Sequence, residues 1–484
     1  MQKKRTITAT DGANQQVECD IAIIGAGPGG YVAAIYGARQ GKKVVLIEKG
    51  EVGGTCLNRG CIPTKALVRT TEIYKALQEA SRYGCKADGI EVDFQRAMAR
   101  KDRVVAGLVK GVHSLLAGND VELLAGSGML IDEHTVKVSQ KDSEILVKAS
   151  HIIIAGGSEP AVLPIPGARE DFVIDSTQAL ELSELPDSLV IIGGGVIGME
   201  FAFIFARLGV KVTLIEYLEE ILALIDSDLT QVVVRNLRMA GVKLHTNAKV
   251  TSLEKGDNGR ALVHFEDAAT GEPFTGVAAD KVLMAVGRRP ALAGLGVEDL
   301  GLELNPRGQG IKVDNTMATS MDNIYAIGDV TGGMMLAHLA SHQGIVAIDN
   351  IVGRSSTMDY RAVPNAIFTD PEIAVVGISE KEAKAQGIEV KVGRFPFAGN
   401  GKALTLGMSR GFVKLIAHPE TGTILGGAIV GPGATDLIAQ ITLAVEHRLT
   451  AREVARTIHA HPTLPEAIME AAWDAESGAL HLAD

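Results

Sequence analysis

One pattern occurs twice in the sequence and limits the folds that this chain can adopt. A short apolar run leads into a G-x-G-x-x-G stretch, a helical pattern follows, and a second apolar run ends in a glutamate. The first copy has its glycines in Gly25–Gly30 and its glutamate at Glu48; the other has them in Gly193–Gly198 and at Glu216. The glutamate follows the last glycine by 18 residues in both copies. This order predicts two α/β units with parallel strands.

The glycines indicate what each copy binds. Small residues let the backbone approach a pyrophosphate at a helix N-terminus, and a carboxylate about 20 residues later suits a ribose hydroxyl. An ordinary tight strand–helix turn is the alternative for one copy alone, but two copies with equal spacing favour two dinucleotide sites. The binding glycines are Gly25, Gly27 and Gly30 in the first copy and Gly193, Gly195 and Gly198 in the second.

The residues after the second glutamate indicate the coenzyme. Glu216 is followed by Tyr217, Leu218, Glu219 and Glu220, none of which is a cation. A 2′-phosphate would meet negative charge there without the arginine that NADP sites use. The sequence therefore predicts NAD rather than NADP at the second site.

A cysteine-containing stretch follows the first copy. Cys56 and Cys61 lie five positions apart in Gly53–Lys65. In a regular helix their α-carbons would be about 8.7 Å apart, whereas a disulfide needs roughly 7 Å or less. A bridge would therefore require irregular backbone, which Gly60 permits, and Pro63 suits the first turn of a helix that begins just after Cys61. The pattern favours a redox-active pair over two buried thiols that never meet.

Composition excludes several classes of function. The chain has 484 residues, which predicts two to four domains, and its net charge of −11 with 4% aromatic residues argues against nucleic-acid binding. No apolar run is long enough for a membrane span. Four cysteines do not make a secreted disulfide framework, so Cys19 and Cys85 are predicted to be buried hydrophobic residues. The polar residues 1–17 predict a flexible tail rather than a signal peptide, and we expect a cytoplasmic protein.

The stretch from Gly53 to Lys65 closely resembles the redox-active disulfide of the flavin-dependent pyridine nucleotide–disulfide oxidoreductases. Within that family it is most similar to the enzymes that oxidise dihydrolipoamide with FAD and NAD as cofactors. The resemblance extends from about Cys19 to Glu466. It implies an α/β fold with two Rossmann-like dinucleotide-binding domains and a C-terminal α+β dimerisation domain. The implied boundaries are 18–156 for the FAD-binding domain, 157–287 for the NAD-binding domain, 288–357 for a central domain completing the FAD site, and 358–484 for the interface domain.

The resemblance also implies the roles of the two cysteines and of a C-terminal pair. Substrate thiolate would attack Cys56 and leave Cys61 as a thiolate against the flavin, from which electrons reach NAD. His461 and Glu466 match the family's H-P-T-x-x-E motif, and would be supplied across a homodimer to the partner's disulfide. From the residues alone, His461 could instead be a structural histidine. His459 is expected only to support this pair.

Further side chains receive cofactor roles by the same resemblance. Lys65 and Glu200 would pair beside the flavin, although they could also be two unrelated surface charges. Asp329, after the run Ile324–Gly328, would bind the ribityl chain, unless it lies in a simple surface turn. Backbone N–H groups at Ala337 would lie near a flavin carbonyl. Gly287, where a strand leaves the second unit, is assigned to the coenzyme site.

Several positions depart from the family pattern. Gly156 stands where threonine is usual, Leu339 where lysine is frequent, Pro465 where serine is common, and Lys402 replaces a frequent arginine in Asn400–Ala403.

Rival functions are less well supported by the sequence. A glutathione reductase would require NADPH, whereas mercuric and large thioredoxin reductases carry a C-terminal redox pair, and the last cysteine here is Cys85. A docking component with weak catalysis remains the alternative of another class. The expected partner is a lipoylated protein of a 2-oxo acid dehydrogenase complex or of the glycine cleavage system.

Overall fold

The computed structural model of the chain describes residues 15–256, 259–306 and 309–482. These residues form two compact units, each assembled from separate stretches of sequence. The first unit contains the described residues up to Pro63 together with Ala99–Pro160 and Arg288–Met358, and the second contains Thr64–Met98, Ala161–Gly287 and the described residues from Asp359 onward.

Strands occur along the whole described chain, singly between helices and in consecutive runs such as β3 to β8 and β11 to β17. Over the described residues the strands are β1 Gln15–Ile24, β2 Val44–Glu48, β3 Glu122–Ala125, β4 Ser127–Asp132, β5 Thr135–Ser139, β6 Glu144–Ile154, β7 Ser158–Pro160, β8 Val173–Ile174, β9 Ser188–Ile192, β10 Lys211–Ile215, β11 Lys243–His245, β12 Ala248–Lys255, β13 Ala261–Asp267, β14 Val277–Ala279, β15 Lys281–Met284, β16 Arg288–Pro290, β17 Ile324–Ala326, β18 Asn365–Ile367, β19 Glu372–Gly377, β20 Lys391–Pro396, β21 Phe412–Ala417 and β22 Ile424–Gly431.

Both units also contain α-helices. Over the same residues the α-helices are α1 Pro28–Arg39, α2 Gly54–Arg59, α3 Cys61–Gln78, α4 Phe94–Gly118, α5 Ser176–Ala179, α6 Val196–Arg207, α7 Ser227–Met239, α8 Ala337–Ile351, α9 Glu380–Gln386, α10 Gly401–Thr405, α11 Ala434–Glu446, α12 Ala451–Arg456 and α13 Glu466–Glu476. Short 3-10 turns cover Ala80–Tyr83, Gly328–Thr331 and Phe397–Gly399.

The first unit is built on a seven-stranded sheet. Its strand order is β3-β2-β1-β6-β5-β4, and β17 also pairs with β6. Strands β1, β2, β3, β6 and β17 run parallel to one another. Each parallel pair is therefore joined by a crossover connection rather than by a hairpin. Residues Ile21–Ile24 of β1 are buried on both faces, as expected of a central parallel strand. This arrangement brings the carboxyl ends of β1 and β2 to one edge of the sheet.

The second unit contains a similar sheet and an antiparallel one. The parallel sheet has the order β11-β10-β9-β15-β8, in which β10, β9 and β15 repeat the strand order around β1. The antiparallel sheet has the order β18-β19-β22-β21-β20, and helices α11 and α13 contribute to the hydrophobic core beside it. The three strands β12, β13 and β14 form a separate antiparallel sheet.

The predicted fold class is confirmed, with corrections at single positions. Strand β1 begins at Gln15, so the last three residues of the expected tail 1–17 belong to the strand, where Gln15–Val17 pair with Ile145–Val147. The rest of that tail, residues 1–14, lies outside the described residues. The prediction that Cys85 is buried is wrong: it lies after the 3-10 turn Ala80–Tyr83 and is exposed. None of the described helices is both long and apolar enough to cross a membrane.

Candidate active site

The first glycine loop is shaped by steric constraints at two of its glycines. Gly25 has φ +104°, and a Cβ there would lie 2.2 Å from the carbonyl oxygen of Ala155. A Cβ on Gly30 would lie 1.8 Å from the carbonyl oxygen of Gly25. In contrast, a Cβ on Gly27 would meet no protein atom within 4 Å. The open space at Gly27 is what a close-approaching pyrophosphate requires, so the loop fits a dinucleotide.

The carboxylate of Glu48 is fixed at the end of β2. Its Oε2 accepts a hydrogen bond from the backbone N–H of Ala26 at 2.7 Å, and its Oε1 accepts one from Gly50 at 2.8 Å. The side chain therefore faces the glycine loop, where a carboxylate can accept hydrogen bonds from ribose hydroxyls.

The second glycine loop repeats this geometry within the second unit. Gly193 has φ +107°, and a Cβ on Gly198 would lie 1.9 Å from the carbonyl oxygen of Gly193. A Cβ on Gly195 would meet no protein atom within 4 Å. Glu216 accepts hydrogen bonds from the N–H of Gly194 at 2.5 Å and of Leu218 at 2.7 Å. This loop fits a dinucleotide by the same test as the first.

The cysteine segment lies directly against the first loop. The N–H of Gly53 donates to the carbonyl oxygen of Ala26 at 2.7 Å, and a Cβ on Gly54 would lie 2.7 Å from the α-carbon of Gly27. Helix α2 starts at Gly54 and carries Cys56. The two thiol-bearing positions and the dinucleotide loop therefore belong to one local structure.

The predicted irregularity between the cysteines is confirmed. Helix α2 ends at Arg59, Gly60 has φ −143° and ψ −109°, and helix α3 begins at Cys61. A Cβ on Gly60 would lie 3.0 Å from the carbonyl oxygen of Thr55, which favours glycine at the break. Pro63 lies in the first turn of α3, where a missing N–H costs nothing.

Tyr31 is a neighbour of the cysteine segment that the sequence did not indicate. Burial raises the pKa of the Tyr31 phenol, and negative charge on the Cys56 thiolate raises it further. Cys56 itself is half-buried and Cys61 is exposed. The Tyr31 phenol therefore stays protonated near neutral pH. Its side chain is close enough to Cys56 for a charge on that sulfur to affect it.

Lys65 and Glu200 form the predicted ion pair. Lys65 Nζ lies 2.9 Å from both carboxylate oxygens of Glu200, whose side chain is only 5% exposed. The ring of Phe368 lies beneath the ammonium, 4.5 Å from Nζ to its centroid, and the Phe368 N–H donates to Glu200 Oε1 at 3.1 Å. Phe368 thus contacts both charges, a contact for which the sequence offered no signal. The place of this pair beside a flavin stays a prediction.

Asp329 is held by a chain of polar contacts in the first unit. Ser158 Oγ donates to Asp329 Oδ2 and accepts from Arg288 Nε at 2.7 Å. The backbone at Gly328 has φ +73°, and its N–H donates to the buried Gln343 side chain at 2.7 Å. These contacts argue against a simple surface turn at this position.

The other predicted cofactor positions are backbone positions. Ala337 is the first residue of α8, and backbone N–H groups at the start of a helix point out of its N-terminal end. Gly287 has φ +113°, and a Cβ there would meet no protein atom within 4 Å. Both positions can therefore offer backbone to a ligand at close range.

Three departures from the family pattern have defined surroundings. A Cβ on Gly156 would lie 2.9 Å from Leu295 Cδ1 and 3.3 Å from the Ala291 carbonyl oxygen, so a larger residue is crowded there. Leu339 is buried within α8. Pro465 immediately precedes α13 with φ −54°, a value that proline adopts without cost.

His461 and Glu466 form a hydrogen-bonded pair. His461 Nδ1 lies 2.8 Å from Glu466 Oε1, and the Thr463 N–H donates to Glu466 Oε2 at 2.7 Å. Burial raises the pKa of Glu466, but the bonds from Thr463 and His461 outweigh it and hold this pKa below its usual range. His461 is 78% exposed, so the pair presents an imidazole to its surroundings with the Nδ1 position already oriented.

His459 is held differently. Its Nδ1 lies 2.7 Å from the Thr457 carbonyl oxygen, and its Nε2 lies 2.7 Å from Gln440 Nε2. A carbonyl accepts only from an N–H, so the proton of the neutral ring is on Nδ1. Both ring nitrogens are therefore engaged, which agrees with a supporting role.

The site residues are divided between the two units. The first unit contains the first glycine loop, Glu48, both cysteines, Asp329 and Ala337. The second contains the other glycine loop, Glu216 and Gly287, together with two side-chain pairs, Lys65–Glu200 and His461–Glu466. The sequence does not predict the contacts of Phe368, Ser158 and Arg288, because each joins residues more than a hundred positions apart.

Comparison with known proteins agrees with this geometry. Residues 19–344 match the family model described as pyridine nucleotide-disulphide oxidoreductase, and residues 363–472 match the dimerisation domain of the same family. The chain is 44% identical to a dihydrolipoyl dehydrogenase of Geobacillus stearothermophilus and 43% identical to one of Chlamydia pneumoniae. Each alignment covers 96% of this chain and 98% of the relative.

Solved structures of related proteins have the same fold. LpdA from Mycobacterium tuberculosis is 31% identical with a TM-score of 0.87, over 94% of this chain and 99% of that one. The HOCl-induced flavoprotein disulfide reductase RclA from Escherichia coli, as its Cu(II) complex, is 32% identical with a TM-score of 0.84, over 94% and 99% of the two chains. On the matched family models and these relatives, the chain belongs to the pyridine nucleotide-disulphide oxidoreductase family.

Proposed function

We propose that this chain is an FAD-dependent dihydrolipoyl dehydrogenase that oxidises protein-bound dihydrolipoamide to lipoamide, with NAD+ as hydride acceptor. The observation that carries the proposal is the contact between the cysteine segment and the first glycine loop. The Gly53 N–H bond to Ala26 and the fit of Gly54 against Gly27 hold Cys56 and Cys61 beside a dinucleotide-binding loop. A dithiol in that position can exchange electron pairs with a bound flavin dinucleotide.

The proposed chemistry of the chain's own residues is thiol–disulfide exchange. Substrate thiolate attacks Cys56 Sγ of the Cys56–Cys61 disulfide, and Cys61 leaves as a thiolate. The second substrate thiol then attacks its own sulfur in the mixed disulfide, which closes the lipoamide ring and releases Cys56 as a thiol. The substrate has lost two electrons, and the cysteine pair has gained them.

His461 is the proposed base for this exchange. Its Nε2 accepts the proton of the attacking thiol, while the Glu466 carboxylate at Nδ1 orients the ring and stabilises the imidazolium. The matched dimerisation domain supports a homodimer. In that dimer, we propose, the pair acts on the disulfide of the partner subunit.

The residues proposed to hold FAD belong mainly to the first unit. The glycine loop from Gly25 and the N-terminus of α1 would receive the pyrophosphate, Glu48 a ribose, and Asp329 the ribityl chain. The start of α8 at Ala337 would offer N–H groups to the ring, and Lys65 would bring a positive charge oriented by Glu200. When bound, FAD supplies the two-electron chemistry that links a dithiol to a nicotinamide.

The second glycine loop is proposed to hold NAD. Glu216 would accept a hydrogen bond from the ribose 2′-hydroxyl, and Gly287 would allow close backbone approach. Tyr217 and Leu218 are exposed beside Glu216, and neither carries a positive charge. A 2′-phosphate would therefore face the Glu216 carboxylate, which supports NAD over NADP.

The physiological partner and setting complete the proposal. The lipoyl group would come from a lipoylated protein of a 2-oxo acid dehydrogenase complex or of the glycine cleavage system. We propose the domain boundaries 18–156, 157–287, 288–357 and 358–484, and a cytoplasmic location on the basis of cysteine content.

The test is turnover of free dihydrolipoamide by the purified protein with NAD+, followed by NADH formation. We expect bound flavin, steady turnover and a kcat/KM for NAD+ well above that for NADP+. A protein that docks to a multienzyme complex but does not oxidise free dihydrolipoamide would contradict the proposal.

A further inference from the structure

The Asn400 side chain is a buried polar group outside the residues assigned to catalysis. It is 3% exposed and lies between the 3-10 turn Phe397–Gly399 and helix α10. Its Oδ1 accepts a hydrogen bond from the Ala403 N–H at 2.9 Å, as in an N-cap. Its Nδ2 donates to the carbonyl oxygen of Thr463 at 3.0 Å. One amide therefore satisfies a helix end and a distant turn at the same time.

The second of these bonds is not needed for capping. Aspartate or serine caps a helix as well as asparagine does, since only an acceptor is required. A side-chain N–H is needed only because Thr463 offers a carbonyl oxygen. Without that acceptor, a buried amide N–H would be left without a hydrogen bond, which destabilises the folded state. The position thus uses an acceptor directed at Ala403 and a separate N–H donor that reaches Thr463, and the Asn400 amide provides both.

Thr463 lies between His461 and Glu466 in the sequence and binds the Glu466 carboxylate. Its N–H donates to Glu466 Oε2 at 2.7 Å, and its Oγ1 donates to the Ala460 carbonyl oxygen at 2.6 Å. The other oxygen of Glu466 lies 2.8 Å from His461 Nδ1. A movement of Thr463 would therefore move the carboxylate that orients the imidazole.

We propose that Asn400 is a positioning residue for the reaction, which fixes the turn of residues 460–466 and through it the orientation of His461. The inference rests on the proposed function. The bond from Asn400 fixes the carbonyl of Thr463, the Thr463 N–H holds Glu466, and Glu466 holds the ring.

Two substitutions separate this role from capping. Asn400→Asp keeps an acceptor for Ala403 and removes the donor to Thr463. Asn400→Ser also keeps an acceptor, but it replaces the amide N–H by a hydroxyl on a side chain about one bond shorter, which withdraws the donor from Thr463. Ser379→Ala is the matched control, because Ser379 caps α9 by accepting from the Glu382 N–H at 3.1 Å and contacts none of the residues proposed for catalysis. All variants are studied as the full-length, flavin-loaded protein.

Three measurements are made on each protein. The first is kcat for dihydrolipoamide oxidation, and the second is NADH oxidation by ferricyanide, which requires no thiol exchange. The third is hydrogen exchange of a peptide spanning residues 457–466. For both Asn400 variants we expect kcat to fall about 10- to 100-fold, as for a misplaced catalytic group, with ferricyanide reduction unchanged and faster exchange in the peptide. Ser379→Ala should change none of the three.

The proposal is overturned if the Asn400 variants keep the wild-type kcat, if both activities fall in parallel, or if exchange of the peptide is unchanged. Failure of the proposed function looks different: the wild-type protein would then reduce ferricyanide but not oxidise dihydrolipoamide. Hydrogen exchange would still decide whether Asn400 holds the turn.

Discussion

The two glycine loops have the same backbone geometry but lead into different segments. In both, the first glycine has φ near +105°, and the third would place a Cβ less than 2 Å from the first glycine's carbonyl oxygen. After the first loop comes the glycine pair that starts the cysteine helix at Gly54. After the second comes the exposed run from Tyr217 to Glu219. Steric constraint on the glycines therefore makes a general dinucleotide site, whereas the segment that follows the site decides its chemistry.

The largest effect is expected where the two loops differ most. Replacement of Cys56 or Cys61 by serine removes the exchangeable pair beside the first loop. Dihydrolipoamide oxidation should fall by at least about a thousandfold, as when a covalent nucleophile is lost. NADH oxidation by ferricyanide should remain, because it depends on the dinucleotide sites alone. Cys85→Ser serves as the control, and a loss of both activities in Cys61→Ser would contradict the assignment.

A pair of substitutions in the second loop tests what the loops share. Gly195→Ala should fold normally, because the new methyl meets no protein atom within 4 Å, but it should occupy the space of the pyrophosphate. We expect KM for NAD+ to rise about 10- to 100-fold, for a loss of roughly 1.4–2.7 kcal/mol in binding. Gly198→Ala should instead lower Tm, because its methyl would lie 1.9 Å from the Gly193 carbonyl oxygen. An unchanged KM in Gly195→Ala would argue against a dinucleotide at this loop.

Glu216 should influence coenzyme choice more than stability. In Glu216→Gln, the loss of a charged acceptor for the ribose hydroxyl should raise KM for NAD+ about tenfold. The ratio of kcat/KM for NADP+ to that for NAD+ should increase, since the repulsion of a 2′-phosphate is removed. Glu48→Gln should leave this ratio unchanged, because it alters the other loop. A wild-type preference for NADP+ would contradict the role assigned to Glu216.

The smallest expected effect is on stability, and it comes from the side-chain contacts at the C-terminal ends of the helices that follow the two loops. At the end of α6, Arg207 binds Asp370, which also accepts from Lys75 Nζ at 2.6 Å. At the end of α1, Arg39 donates to the neutral Asn119 side chain at 2.9 Å. Burial raises the pKa of Asp370, but Arg207 and Lys75 outweigh this and hold that pKa below its usual value. The ion pairs therefore stabilise the second unit above about pH 4 and lose this contribution as pH falls further.

Urea unfolding of Asp370→Asn across this pH range measures the contribution. We expect the variant to be about 2 kcal/mol less stable than wild type at neutral pH, with the difference shrinking below about pH 4. Asp359→Asn removes a more exposed pair with Arg361 and should change stability by less than about 1 kcal/mol. A difference for Asp370→Asn that does not depend on pH would contradict the assigned cause.

The parts of the site that could be predicted from the sequence are those set by local geometry. The glycine loops, the helix break at Gly60 and the pairing of His461 with Glu466 each lie within a few residues or within one strand–helix–strand unit. The contacts of Phe368 with Lys65 and of Asn400 with Thr463 depend on how distant segments pack. No local pattern encodes them. The prediction for Cys85 is wrong because the burial of a cysteine depends on the loop that carries it.

The central claim is that Cys56 and Cys61 form the electron-accepting pair between substrate and nicotinamide. Its most direct test is mass spectrometry of the purified protein after iodoacetamide treatment, with and without prior incubation with NADH in the absence of oxygen. The account predicts that NADH exposes two alkylatable thiols on the peptide containing Cys56 and Cys61, while labelling of Cys85 stays the same, and that this alkylation abolishes dihydrolipoamide oxidation. Labelling of Cys56 and Cys61 that is independent of NADH would contradict it.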